Sequence, residues 1–141
     1  MSEVVEDLID VIIVAGGMGS RMIGLSEKYG CKSLVHLNGI PCIEYLLFTI
    51  KEVLPNAYII LCIDNEKLIE RFKEIIEKNN FRKIDFYLDK HRGPVQTMYE
   101  AASLCNSKKV LIFFGNQLVT PEHIEKLLSF QDDSVALSTF S

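Results

Sequence analysis

No apolar run in this sequence is long enough to cross a bilayer. The longest, residues 11–17 and 57–63, fall far short of the roughly 20 residues a spanning helix needs. Nor does a basic segment precede a signal-peptide core at the N-terminus, so no membrane partner and a cytoplasmic location are expected. A basic surplus is missing as well. With 15 Lys+Arg against 19 Asp+Glu the formal net charge is −4, which argues against nucleic-acid binding. A small anionic ligand stays compatible, because a few local cations can hold phosphates on an acidic protein. Cysteine is sparse and carries no C-x-x-C pair, so Cys31, Cys42, Cys62 and Cys105 signal neither a zinc site nor a disulfide framework. Cys62 and Cys105 sit in apolar contexts and read as small buried hydrophobes. His36, His91 and His123 stand far apart without ligand spacing. Internal repeats, low-complexity tracts and linkers are all absent.

What remains is 141 residues, 48% hydrophobic and 24% charged, the composition of one ordinary globular domain spanning 1–141. Short β-rich runs alternate with amphipathic segments. Asp10-Val-Ile-Ile-Val14 is continuously apolar after its first residue, as expected of a central parallel strand buried on both faces. A long polar loop follows to about Gly39, and Pro41 suits the first turn of a helix. Ile43, Leu46, Leu47, Ile50 and Leu54 share one face of that helix, which ends at Pro55. Residues 57–63 read as a second buried strand. Leu68, Ile69, Phe72, Ile75 and Ile76 mark a helix over 65–79. Residues 84–88 form a shorter strand nearer the sheet edge. Gly93-Pro94 opens a helix whose Val95, Met98, Tyr99 and Ala102 are expected to face the core. Residues 110–114 are a third apolar strand, and Thr120-Pro121 begins a helix carrying Ile124, Leu127 and Leu128. Residues 135–139 read as a last strand.

This β-α alternation implies a doubly wound, mostly parallel α/β sheet in three layers, α/β/α. Ligands of such sheets bind beyond the carboxyl ends of the strands, where the strand order reverses. That rule directs attention to the segments after Val14, Ile63, Leu88 and Phe114.

After Val14 the chain runs Ala15-Gly16-Gly17-Met18-Gly19-Ser20-Arg21-Met22. Three glycines in four positions let backbone N–H groups turn toward an anion, and Arg21 adds a fork of donors suited to phosphate oxygens. The bland alternative is a tight turn with a solvent-facing arginine. The Walker pattern fails here, because Cys31 precedes Lys32-Ser33 and the pair lies well past the first strand's loop. The dinucleotide fingerprint fails as well: Met22 occupies the third glycine's place, and Asp64 follows far too late.

The longer stretch V-A-G-G-M-G-S-R-M…K-S-L-V-H-L-N-G-I-P-C-I-E-Y-L resembles the sugar-1-phosphate nucleotidylyltransferase family, at its N-terminal nucleotide-binding half. Ala15, Gly16, Gly19, Ser20, Arg21, Met22, Lys32, Leu34, Gly39, Pro41, Ile43 and Tyr45 match the family pattern. Gly93-Pro94-Val95-Gln96-Thr97 is similar to the family segment near the base and sugar. Residues 110–116 stand where the family writes an apolar strand ending in Gly-Asp.

The resemblance implies a Rossmann-like fold of the nucleotide-diphospho-sugar transferase type. It also implies transfer of NMP from an NTP to a sugar-1-phosphate or similar alcohol phosphate, with release of pyrophosphate. Arg21 would hold the triphosphate, and Lys32 would bridge the α-phosphate and the incoming phosphate. Ala15, Gly16, Gly17, Gly19, Ser20, Gly93 and Gln96 would bind the nucleotide. Mg²⁺ is the implied cofactor, at the position held here by Asn116. The sequence departs from the pattern at three points. Cys31 replaces the proline before the lysine, Asn116 replaces the metal-binding aspartate, and the usual C-terminal sugar-binding half is not present in these 141 residues. The alternative reading is therefore a nucleotide-binding or scaffold module of the same fold that has lost metal catalysis. Homo-oligomerisation is open, with Leu46, Phe48 and Phe130 as candidate contact residues.

Overall fold

The computed structural model describes residues 9–15, 28–89 and 93–129. The glycine loop from Gly16 through Met22, the expected strand at 135–139, His91 and Phe130 lie outside the described residues.

Four strands form one parallel sheet: β1 (Ile9–Val14), β4 (Tyr58–Ile63), β5 (Ile84–Leu88) and β6 (Lys109–Phe114), in the order β5-β4-β1-β6. β1 is central and pairs in parallel with β4 and β6. Its Val11, Ile12 and Ile13 are fully buried, which is why the run lacks alternating polarity. The expected edge position of β5 is borne out among the described residues, since it pairs with β4 alone. Residues 16–27, between β1 and the 3₁₀ turn Lys32–Leu34, lie outside the described residues. A two-residue hairpin, β2 (His36–Leu37) with β3 (Ile40–Pro41), turns through Asn38 and Gly39, both with positive φ.

Helix α1 (Cys42–Val53) starts one residue after Pro41, which closes β3 rather than opening the helix. Helix α2 (Ile69–Lys78) is preceded by the separate 3₁₀ turn Glu66–Leu68, capped by the Asn65 side chain. α1 and α2 cover the face presenting Val11, Ile13, Leu61 and Ile63, together with Ile124 of α4 (Pro121–Leu128). α3 (Pro94–Ser103) covers the opposite face, where Ala101 packs with Ile12, Val14, Ile60 and Cys62. Strand order runs outward from β1 to β5 and then returns to β6 on β1's other side. With right-handed crossovers, that reversal is what moves α3 to the other face.

Two expectations are corrected. Leu46 is fully buried under α1 and cannot form a contact surface, whereas Phe48 is exposed. Val95 and Tyr99 of α3 point to solvent, 77% and 73% exposed, and Ala102 is exposed too. The residues α3 buries are Thr97 and Ala101, with Met98 partly covered. Small side chains let the helix lie close on the sheet. Thr97 is tolerated there because its hydroxyl donates to the Gly93 carbonyl at 3.0 Å.

Candidate active site

The carboxyl ends of the four strands open on a cavity of about 420 Å³. That lies within the roughly 300–1,000 Å³ of small-molecule sites. Its walls come from every strand end the topology brings together. Val14 ends β1, Cys62 and Asp64 end β4, Asp89 follows β5, and Phe114 and Asn116 end β6. Lys32 and Ser33 of the first 3₁₀ turn and Gly93, Pro94 and Thr97 at the start of α3 complete it.

Local sequence explains each placement. Gly93 holds φ +94 with ψ 161, a backbone L side chains rarely adopt, and Pro94 at the first helical position fixes the φ that α3 needs. The N-terminal end of α3, the end of a helix that favours negative charge, thereby borders the cavity. At the end of β6, the Gly115 amide donates to the Val14 carbonyl at 3.0 Å. The Gln117 side-chain carbonyl accepts the Phe114 amide at 2.6 Å, so Gln117 closes the strand while Asn116 lines the cavity.

Lys32 is half-buried and lines the cavity, its backbone carbonyl accepting the Val35 amide at 3.2 Å. Cys31, just before it, is 1% exposed with φ −159, extended backbone far from the roughly −65° a proline ring imposes. The loop therefore reaches the lysine by a backbone path that a proline at residue 31 could not follow. Burial pushes the Cys31 thiol up, and its neighbouring backbone groups only partly offset this.

Of the residues singled out in the sequence, Lys32, Gly93 and Asn116 line the cavity. Ala15 is 1% exposed and not among the lining residues; its amide donates to the Cys62 carbonyl at 2.9 Å and its carbonyl accepts from the lining residue Ser33. The Gln96 side chain donates to Glu100 at 3.3 Å, which also bonds Tyr87, and Gln96 is not among the lining residues. Gly16, Gly17, Gly19, Ser20 and Arg21 lie outside the described residues. The sequence reading did not select Asp64, Asp89, Ser33, Cys62 and Thr97. For Asp64 and Asp89 the signal was there: each follows the last residue of a strand, where the strand-end rule pointed.

The chemistry available is polar rather than nucleophilic. Cys62 faces the cavity, but burial first and the Asp89 charge second push its thiol up to about 12. A thiol kept protonated by burial is a poor nucleophile near neutral pH. One cation, an amide, helix N-terminal N–H groups and two aspartates can instead orient a ligand with both anionic and hydrogen-bonding parts.

Residues 11–140 match the MobA-like NTP transferase domain family. The chain belongs to that family. It is similar to a bifunctional protein GlmU from Methanococcus maripaludis strain C7, 25% identical over 130 residues covering 92% of this chain. It spans 29% of that relative's length. Among solved structures it resembles CTP:phosphocholine cytidylyltransferase from Streptococcus pneumoniae, with TM-score 0.60, 28% identity, and 77% of this chain on 45% of that one. It shares its fold with 4-diphosphocytidyl-2C-methyl-D-erythritol synthase from Anaerococcus prevotii, with TM-score 0.67, 22% identity, and 86% of this chain on 49% of that one. The nucleotidyltransferase resemblance and the α/β fold are thus both borne out. The chain is a nucleotidyltransferase-type domain, and among the described residues no helix is long and apolar enough to cross a membrane.

Proposed function

We propose that this domain binds a nucleoside triphosphate and transfers its nucleotidyl group to a phosphorylated small molecule, a sugar-1-phosphate or similar alcohol phosphate. One observation carries the reading: Lys32, the start of α3 and the ends of β1 and β6 border a single cavity at the strand-order reversal. A phosphate oxygen of the acceptor attacks the α-phosphorus, the α–β bridging P–O bond breaks, and pyrophosphate leaves. The attacking oxygen is already anionic near neutral pH, so no general base is required. Catalysis then consists of alignment and charge neutralisation. Lys32 offsets the charge shared between the α-phosphate and the acceptor phosphate. Arg21 and the amides of residues 16–20 hold the triphosphate, since the Ala15 amide is already spent on the Cys62 carbonyl. Gly93 permits close approach of the nucleoside to the start of α3.

Asn116 alone does not supply a resident Mg²⁺ site at the β6 end. Asn116 is neutral where Mg²⁺ prefers anionic oxygens, and no group of three or more His, Cys, Asp or Glu among the described residues could hold a metal. The same Asn116 favours the second reading, a nucleotide-binding module of this fold without turnover.

Pyrophosphate release measured with ATP, CTP, GTP and UTP against a panel of sugar and alcohol phosphates separates the two. Turnover that Lys32→Ala lowers by about 100-fold or more supports the transferase. Triphosphate binding by calorimetry without turnover supports the module. Flat titrations with all four triphosphates sink both.

A further inference from the structure

We infer that Ser33 is a positioning residue for Lys32, through a latch formed with Ala15 and Gly115; this rests on the reading of Lys32 given above. Lys32 lines the cavity, and its backbone sets the point from which the side chain reaches into it. That backbone is the 3₁₀ turn Lys32–Leu34, closed by Leu34 N–H to Cys31 O and Val35 N–H to Lys32 O, each at 3.2 Å. A single three-residue 3₁₀ turn is a weak anchor by itself.

Ser33 supplies the anchor. It is 2% exposed, and its hydroxyl donates to the Ala15 carbonyl at 3.3 Å. The turn is thereby tied to the residue that directly follows β1. From the other side, Gly115 leaves the room that Ser33 occupies. A β-carbon there would lie 2.2 Å from Ser33 Oγ, 2.9 Å from its Cβ and 3.3 Å from the Ala15 Cα. Contacts below about 3.0 Å do not persist in real structures, so any side chain at 115 evicts Ser33 or moves the strand end. The seryl group is thus wedged between the two strands where the order reverses, and Lys32 is carried to the cavity beside it. Gly115 is followed directly by Asn116, so the latch also fixes the distance between the lysine turn and the β6 end. In a site that works by alignment, displacing this turn lowers function while the core stays intact.

A double-mutant cycle tests the latch. Ser33→Ala, Lys32→Ala and the pair are titrated with CTP and GTP, with thermal unfolding as the control. Ser33→Ala is expected to weaken triphosphate binding about fivefold, the equivalent of one net buried hydrogen bond. In the Lys32→Ala background it should add less than about twofold, because the lysine through which it acts is gone. Equal losses in both backgrounds overturn the inference and leave Ser33 a packing residue. A second arm needs no nucleotide. Lysines are reductively ¹³C-methylated, and the Lys32 signal is assigned by its absence in Lys32→Arg. That signal should move in Ser33→Ala and in Gly115→Ala while the other lysine signals hold. An unmoved Lys32 signal in Ser33→Ala overturns the latch even if the triphosphates bind. If wild type binds no triphosphate, the functional reading fails, and this second arm still decides the latch.

Discussion

Asp10 and Asn106, 96 residues apart, meet where β1 enters the sheet: Asp10 Oδ2 accepts the Asn106 amide at 3.1 Å and the Ser107 amide at 3.2 Å. Asp10 is only 6% exposed. The carboxylate thus supplies partners for two backbone amides in the turn before β6 and fixes that strand against β1. Removing it leaves both amides without their acceptor. Asp10→Ala should lose about 2 kcal/mol of stability in urea denaturation, and Asp10→Asn distinctly less. Because the pair lies at the amino ends of the strands, triphosphate affinity should not change. Equal midpoints for wild type and Asp10→Ala would show that the turn is held by other contacts.

Restoring the family's proline at residue 31 should harm rather than help. Cys31 has φ −159 and a fully buried side chain, and a proline ring can match neither. Cys31→Pro is expected to cost about 1–3 kcal/mol and to weaken triphosphate binding through the displaced Lys32 turn. A thermal midpoint at or above that of wild type would show that the loop tolerates the family's geometry.

Cys62 makes stability depend on alkaline pH. Its thiol ionises near 9 when unfolded and is pushed up to about 12 in the fold, by burial first and Asp89 second. A raised folded value means the contribution is fully present below the unfolded pKa and is lost as pH rises through the folded one. Stability should therefore decline from about pH 9 upward, by about 1–3 kcal/mol from this group. Cys62→Ala should flatten that decline relative to wild type. Near pH 8 native Cys62 should also resist iodoacetamide, although it lines the cavity. Rapid alkylation there would place the thiol in a different environment.

The buried face of α3 can be checked by paired substitutions. Tyr99→Ser, at a site 73% exposed, should change stability by no more than about 0.5 kcal/mol. Ala101→Leu, at a fully buried site against Ile12 and Ile60, should cost about 1–3 kcal/mol by overpacking. Reversed results would restore the face that helical spacing alone suggests.

That spacing misleads at α3 for a physical reason. Val95, Met98, Tyr99 and Ala102 recur at helical intervals, yet the helix approaches the sheet through the small side chains of Thr97 and Ala101. Thr97 hides its polarity by bonding its own preceding turn, which a hydrophobic pattern does not register. At α1 the same reasoning succeeds, because Ile43, Leu46, Leu47 and Ile50 are bulky and no smaller stripe competes. In the site, Lys32 and Asn116 were legible from motif register. Ser33 was not, since a serine beside a lysine has no distinguishing pattern until β1 and β6 close around it. Asp64 and Asp89 were indicated by position but not by type.

The sequence by itself determined the alternation of strands and helices, the burial of β1 and the nucleotidyltransferase motif. These are local signals: runs of apolar residues, helical periodicity, and glycines and a lysine in register. Only the tertiary structure decided that the ends of β4, β5 and β6 share one cavity with Lys32, which side of α3 is hidden, and why residue 115 has no side chain. Those facts depend on contacts between segments tens of residues apart, set by strand order and by the volume left between packed backbones. No local pattern encodes them.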